Sequence, residues 1–106
     1  MRLRWTRRAQ RDLGDIQRFI AEDDPDAARR WVEKLRERAR AAQAFPLAGR
    51  VVPELGRAEI REVFLRTYRI VYRLQEGTLD VLTVFEGHRL LEVDPEEYGG
   101  PGCQDI

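Results

Sequence analysis

The stretch RAEIREVFLRTYRIVYRLQEGTLDVLTVFEGHR, residues 57–89, decides the fold. In its middle, Tyr68, Ile70, Tyr72 and Leu74 alternate with Arg69, Val71 and Arg73. Period-two alternation in a segment rich in β-branched and aromatic residues predicts a half-buried strand with two chemically different faces. Gln75-Glu76-Gly77 supplies a turn, because Gly77 takes a positive φ without steric cost. Leu79 to Phe85 reads as the next strand and Ile60 to Leu65 as the preceding one, which together predict an antiparallel meander. The pattern leaves open whether the Tyr68 set or the Arg69 set faces the core.

The N-terminal half is built to cover one face of that sheet. Leu3-Arg4-Trp5 is apolar at alternate positions and suits a first strand, and Thr6 stands where a helix N-cap belongs. Ala9, Leu13, Ile16 and Ile20 then form one helical stripe, with Arg7, Arg8, Arg11, Asp15 and Arg18 off it. Pro25 breaks that helix and suits the first position of another, capped by Asp24. Ala28, Trp31, Val32, Leu35, Ala39 and Ala42 make the second stripe. So short a link predicts an antiparallel hairpin, with Phe19 and Trp31 the largest side chains for its seam or for the sheet contact. Phe45 to Gly49 stops the second helix, and Arg50 to Leu55 reads as a short edge strand, since Pro53 cannot donate to a central ladder.

The expected architecture is a two-layer α+β domain over residues 1–91. An N-terminal strand and a helix hairpin pack on a three- to five-stranded, mainly antiparallel sheet. Residues 92–106 form an acidic tail containing Gly and Pro and are expected to be irregular. That tail holds five carboxylates and no Lys or Arg, so residues 1–91 carry 19 basic against 14 acidic groups, a net of +5. A basic body is compatible with a polyanionic target and equally with an ordinary solvated surface.

Composition excludes several chemistries. The chain has no Ser, so no serine nucleophile, and one Cys and one His, too few for a cysteine or histidine metal cluster. No glycine-rich phosphate loop is present, and neither metal nor cofactor is expected. Apolar runs are too short for a membrane span, and the N-terminus lacks an apolar signal core, which makes a cytoplasmic location the expectation.

Six segments resemble the RelE/ParE toxin superfamily in order along residues 3 to 91. They are Trp5-Thr6-x-x-Ala9-x-x-Asp12-Leu13-x-x-Ile16, Phe19-Ile20-Ala21 with Pro25-x-Ala27-Ala28, Phe45-Pro46-x-x-Gly49-Arg50, Ile60-Arg61-Glu62, Tyr68 to Tyr72, and Gly87-His88-Arg89. The pattern is closer to the ParE branch than to the RelE branch. The resemblance implies the toxin half of a type II toxin–antitoxin pair, with the first strand beside the last and a cognate antitoxin wrapped over the surface. ParE-like members poison DNA gyrase; RelE-like members cut messenger RNA on the ribosome. A third alternative is a non-toxic module that only binds an antitoxin. Sequence-specific DNA binding by this chain is not expected.

The target-binding candidates are Arg61, Tyr68, Arg69, Arg73, His88 and Arg89. For RNA cleavage the candidates narrow to Arg69 and Arg89, which match phosphate-stabilising arginines of RelE-like nucleases, and His88; Tyr98 is a further candidate. Departures from that pattern favour the ParE branch: Lys34 is the sole lysine, and Tyr98 lies nine residues past Arg89, beyond Pro95. Arg69 also suits a structural pair with Glu62. An antitoxin segment is expected as a helix along the hairpin groove or as a strand added near Val51–Leu55, where it would cover apolar surface.

Overall fold

The computed structural model describes residues 1–87 and the short strand Gln104–Asp105. Elements follow in the order β1 (Arg2–Trp5), α1 (Arg7–Ala21), α2 (Pro25–Ala44), β2 (Arg50–Val51), β3 (Ile60–Leu65), β4 (Tyr68–Gln75), β5 (Thr78–Glu86) and β6 (Gln104–Asp105). The sheet runs β2-β3-β4-β5-β1-β6. β2 to β5 are antiparallel neighbours, β1 lies parallel to β5, and β6 lies antiparallel to β1. The first strand therefore sits beside the last strand of the meander, which requires the helix hairpin as crossover. His88, Arg89 and Tyr98, with most of the expected tail, lie outside the described residues.

Both helices begin at the expected caps. Thr6 Oγ1 accepts from the Ala9 amide at 3.1 Å and donates to the Leu82 carbonyl at 2.9 Å, so one hydroxyl starts α1 and ties it to β5. Asp24 Oδ1 accepts from the amides of Asp26 and Ala27, each at 3.1 Å, and Pro25 opens α2. Ala9 and Leu13 of α1, and Ala28, Val32, Leu35, Ala39 and Ala42 of α2, are buried. Four of these seven are alanines, which let the hairpin approach the sheet closely.

The register of β4 settles the open face. Ile70 and Tyr72, with Tyr68 and Leu74 partly buried beside them, join Leu3, Trp5, Leu35, Leu79 and Val81 in the core beneath the helices. The opposite face is also covered. Val52 and Leu55, on the connection before β3, pack with Ile60, Val71, Leu82 and Phe85. The connection covers the second face, and β5 carries a bulge. Val71 stands opposite Thr83 while Tyr72 stands opposite Val81, leaving Leu82 as the extra residue, directed to the second core.

Three expectations are corrected. Within the tail expected to be irregular, Gln104–Asp105 pairs antiparallel with Arg4 and Trp5 as β6. The edge strand is Arg50–Val51 alone, because Pro53 has no amide to donate and the Leu55 and Gly56 amides turn back onto the Val52 carbonyl, with Gly56 at φ 63°. Phe19 is not in the helix seam; it is 70% exposed, since it lies off the Ala9–Leu13–Ile16 stripe. Trp31 does reach the sheet, its ring 6.1 Å from that of Tyr68. No described helix is long and apolar enough to cross a membrane.

Candidate functional site

The expected site residues do not assemble in one place. Tyr68 faces the helices, Arg69 and Arg73 face the other side of β4, and Arg61 lies at the β2 edge with its guanidinium on the carbonyls of Ala58 and Gly49. Strand alternation separates Tyr68 from its neighbour Arg69 by the full thickness of the sheet.

Arg69 is 4% exposed and sits in a closed ionic cluster. Its Nε donates to Glu62 Oε1 at 2.7 Å; Nη1 and Nη2 donate to Glu54 Oε2 and Oε1 at 2.8 and 3.0 Å. Arg50 closes the other oxygen of Glu62. Two guanidinium groups thus balance two carboxylates, and the Glu54 and Glu62 contacts hold Arg69 more firmly protonated than usual against its own desolvation. The Arg69 guanidinium also lies 5.2 Å from the Phe85 ring centroid. Arg73, 7% exposed, stands opposite Asp80, whose two carboxylate oxygens take a bidentate pair from Arg4 at 2.7 and 2.8 Å. Both clusters are structural ties between strands.

The concave surface lies on the helix side, at the start of β4 and the end of β5. A groove of about 450 Å³ runs between α1 and the sheet. Ile16 and Val84 supply its apolar lining, and Phe19 stands on the α1 side. Arg8, Asp12, Asp15 and Phe19 recur at i, i+4, i+7 and i+11, which puts all four on the flank of α1 that borders the groove. Tyr68 and Glu86 form the wall opposite. Burial first, and then the Glu86 charge, raise the Tyr68 phenol above its ordinary value, so it stays a neutral hydroxyl.

Asp12 joins the groove to the bulge. Its Oδ2 accepts from the Val84 amide at 3.0 Å and from the Thr83 hydroxyl, while Oδ1 accepts from Arg8 at 3.1 Å. The sequence pattern marked no role for Asp12 and only a packing role for Phe19, although both lie in the segments that carry the resemblance. Their signal was helical spacing: each falls off the core stripe on a shared flank. An apolar slot with an exposed aromatic rim and flanking carboxylates is suited to holding a protein side chain.

Comparisons with known proteins identify the family. Residues 3–91 match the family model described as "ParE toxin of type II toxin-antitoxin system, parDE". The chain is 38% identical over 91 residues to "Putative toxin Y4kP" of Sinorhizobium fredii (strain NBRC 101917 / NGR234), covering 83% of this chain and 90% of that protein. A solved chain of the chromosomal ParDE TA system from P. aeruginosa has the same fold, with a TM-score of 0.68 at 22% identity over 81% of this chain and 95% of that one. The chain belongs to the ParE toxin family of type II toxin–antitoxin systems.

Proposed function

We propose that this chain acts in the cytoplasm as a toxin that inhibits DNA gyrase by binding, without turnover and without a cofactor. A cognate antitoxin neutralises it by seating an apolar anchor in the groove beside Phe19. Membership of the ParE family supports a binding toxin. The burial of Arg69 carries the choice between branches. Its Nε, Nη1 and Nη2 all donate to Glu54 or Glu62, which leaves it poorly placed to stabilise a pentavalent phosphate. That weighs against metal-free cleavage of messenger RNA, the activity for which Arg69 is the central-strand candidate.

The test is a supercoiling assay with purified gyrase, run beside cell-free translation on the same toxin preparation. The expected result is loss of supercoiling, or accumulation of cleaved DNA, with translation intact. Arrested translation with codon-phased messenger cuts would overturn the proposal in favour of ribosome-dependent cleavage. A preparation that binds antitoxin yet leaves both reactions untouched would overturn it in favour of a non-toxic binding module.

A further inference from the structure

The backbone of β3 is paired along only part of its outer edge. The Val52 amide donates to the Ile60 carbonyl at 3.2 Å, so Ile60, Glu62 and Phe64 are the residues whose peptide groups point away from β4. β2 pairs with Arg61 and Glu62 and stops there. The Phe64 carbonyl is met by a side chain instead, Arg38 Nε of α2 at 3.0 Å.

Beside that open stretch runs a row of cations. Trp31, Lys34 and Arg38 recur at i, i+3 and i+7 along one flank of α2. Lys34 Nζ and the Arg66 guanidinium each lie 5.5 Å from the centroid of the Trp31 ring. Arg50 lies 5.1 Å from that of Phe64. Among the described residues no carboxylate pairs with Lys34, Arg38 or Arg66. Arg66 also holds φ at 52°, a left-handed conformation unfavourable for a side chain of this size. Phe64 is 39% exposed, and on the connection leading to β2 Phe45 and Leu47 are 72% and 70% exposed.

We propose that the open edge of β3, with the Lys34–Arg38–Arg66 row beside it, is a docking strip for an acidic, extended segment of a partner protein. The segment adds as a strand: one of its amides takes the Phe64 carbonyl, and its carboxylates draw Arg38 outward and meet Lys34 and Arg66. Charge selects this occupant over a second copy of the chain, which would set the same cations face to face. Geometry selects it over a nucleic acid, because Trp31 and Phe64 already carry cations over their rings, while what stands open is a backbone edge. The inference holds whichever protein the toxin inhibits.

The test uses the full chain labelled with 15N and three probes: a peptide alternating glutamate with valine, the same peptide with lysine for glutamate, and a single-stranded oligothymidylate. The glutamate peptide is expected to bind alone among the three, with amide shifts confined to residues 60–66 and 31–38. Its Kd rises at least tenfold in Lys34→Glu/Arg66→Glu, and rises with salt in the unmodified chain. Tighter binding of the oligonucleotide, shifts centred elsewhere, or a Kd indifferent to both charge reversal and salt would each overturn the proposal. The salt series and the shift map need no variant, so they stand even if the charge reversal perturbs folding.

Discussion

Arg69 and Glu62 form a diagonal pair across β3 and β4, with Nε 2.7 Å from Oε1 and side chains 5% and 0% exposed. Glu62 stands opposite Val71, Arg69 opposite Phe64, and both side chains enter the face covered by the connection that carries Glu54. Removing one partner strands the others in a low-dielectric site. Arg69→Ala or Glu62→Ala is expected to cost about 3–5 kcal/mol, measured by urea unfolding. Arg69→Lys should recover only part, because an ammonium cannot span two carboxylates as a planar fork does. A loss below about 1 kcal/mol for Arg69→Ala would show the cluster to be solvated.

Asp12 fastens α1 to the β5 bulge through the Val84 amide and the Thr83 hydroxyl. Asp12→Ala leaves a strand amide without its acceptor and is expected to cost about 1–3 kcal/mol. Hydrogen exchange locates the effect: the Val84 amide should lose more protection than those of Leu79 and Val81, away from the bulge on the same strand. Uniform loss along β5 would instead place the damage in the core.

Thr6 serves two elements with one buried hydroxyl. Thr6→Ala removes both the cap on α1 and the bond to Leu82, and should cost about 1–2 kcal/mol in thermal unfolding. Thr6→Ser keeps the oxygen and should retain most of that stability. Equal losses in the two variants would assign the effect to the missing methyl.

Alkaline stability turns on Tyr72. Its hydroxyl donates to the Pro46 carbonyl at 2.7 Å, and burial raises its phenol above the ordinary value of 10.0. The folded state therefore prefers the neutral phenol. Stability from this group is fully present below pH 10.0 and falls as pH rises through the raised folded value. Urea titrations between about pH 8 and 11 should show that decline, and Tyr72→Phe should flatten it while costing about 1 kcal/mol at neutral pH. Tyr68, raised for the same principal reason, adds to the slope in the same direction.

Phe19 separates binding from folding. At 70% exposure it supports little of the core, so Phe19→Asp should change stability by no more than about 0.5 kcal/mol. If the groove seats the antitoxin, calorimetry with the cognate antitoxin should show at least a tenfold loss of affinity, about 1.4 kcal/mol. Unchanged affinity would move the antitoxin to another surface.

Much of the fold was legible in the chain because local chemistry specified it. The alternation from Tyr68 to Leu74 marked β4, and Thr6, Asp24 and Pro25 placed both helix starts. Only the tertiary structure decided what each face of β4 meets. Period two makes the two faces differ but does not say which is covered, and here both are: the helices cover Ile70 and Tyr72, and the connection carrying Val52 and Leu55 folds back over Val71. The same distinction divides the site. Tyr68 and Arg69 are adjacent in sequence and attracted the same functional reading, yet alternation sends one to the groove and the other into an ion cluster with Glu54 and Glu62. Sequence determined which residues could carry charge or an aromatic ring; packing decided which of those groups were consumed within the fold and which remained at a surface.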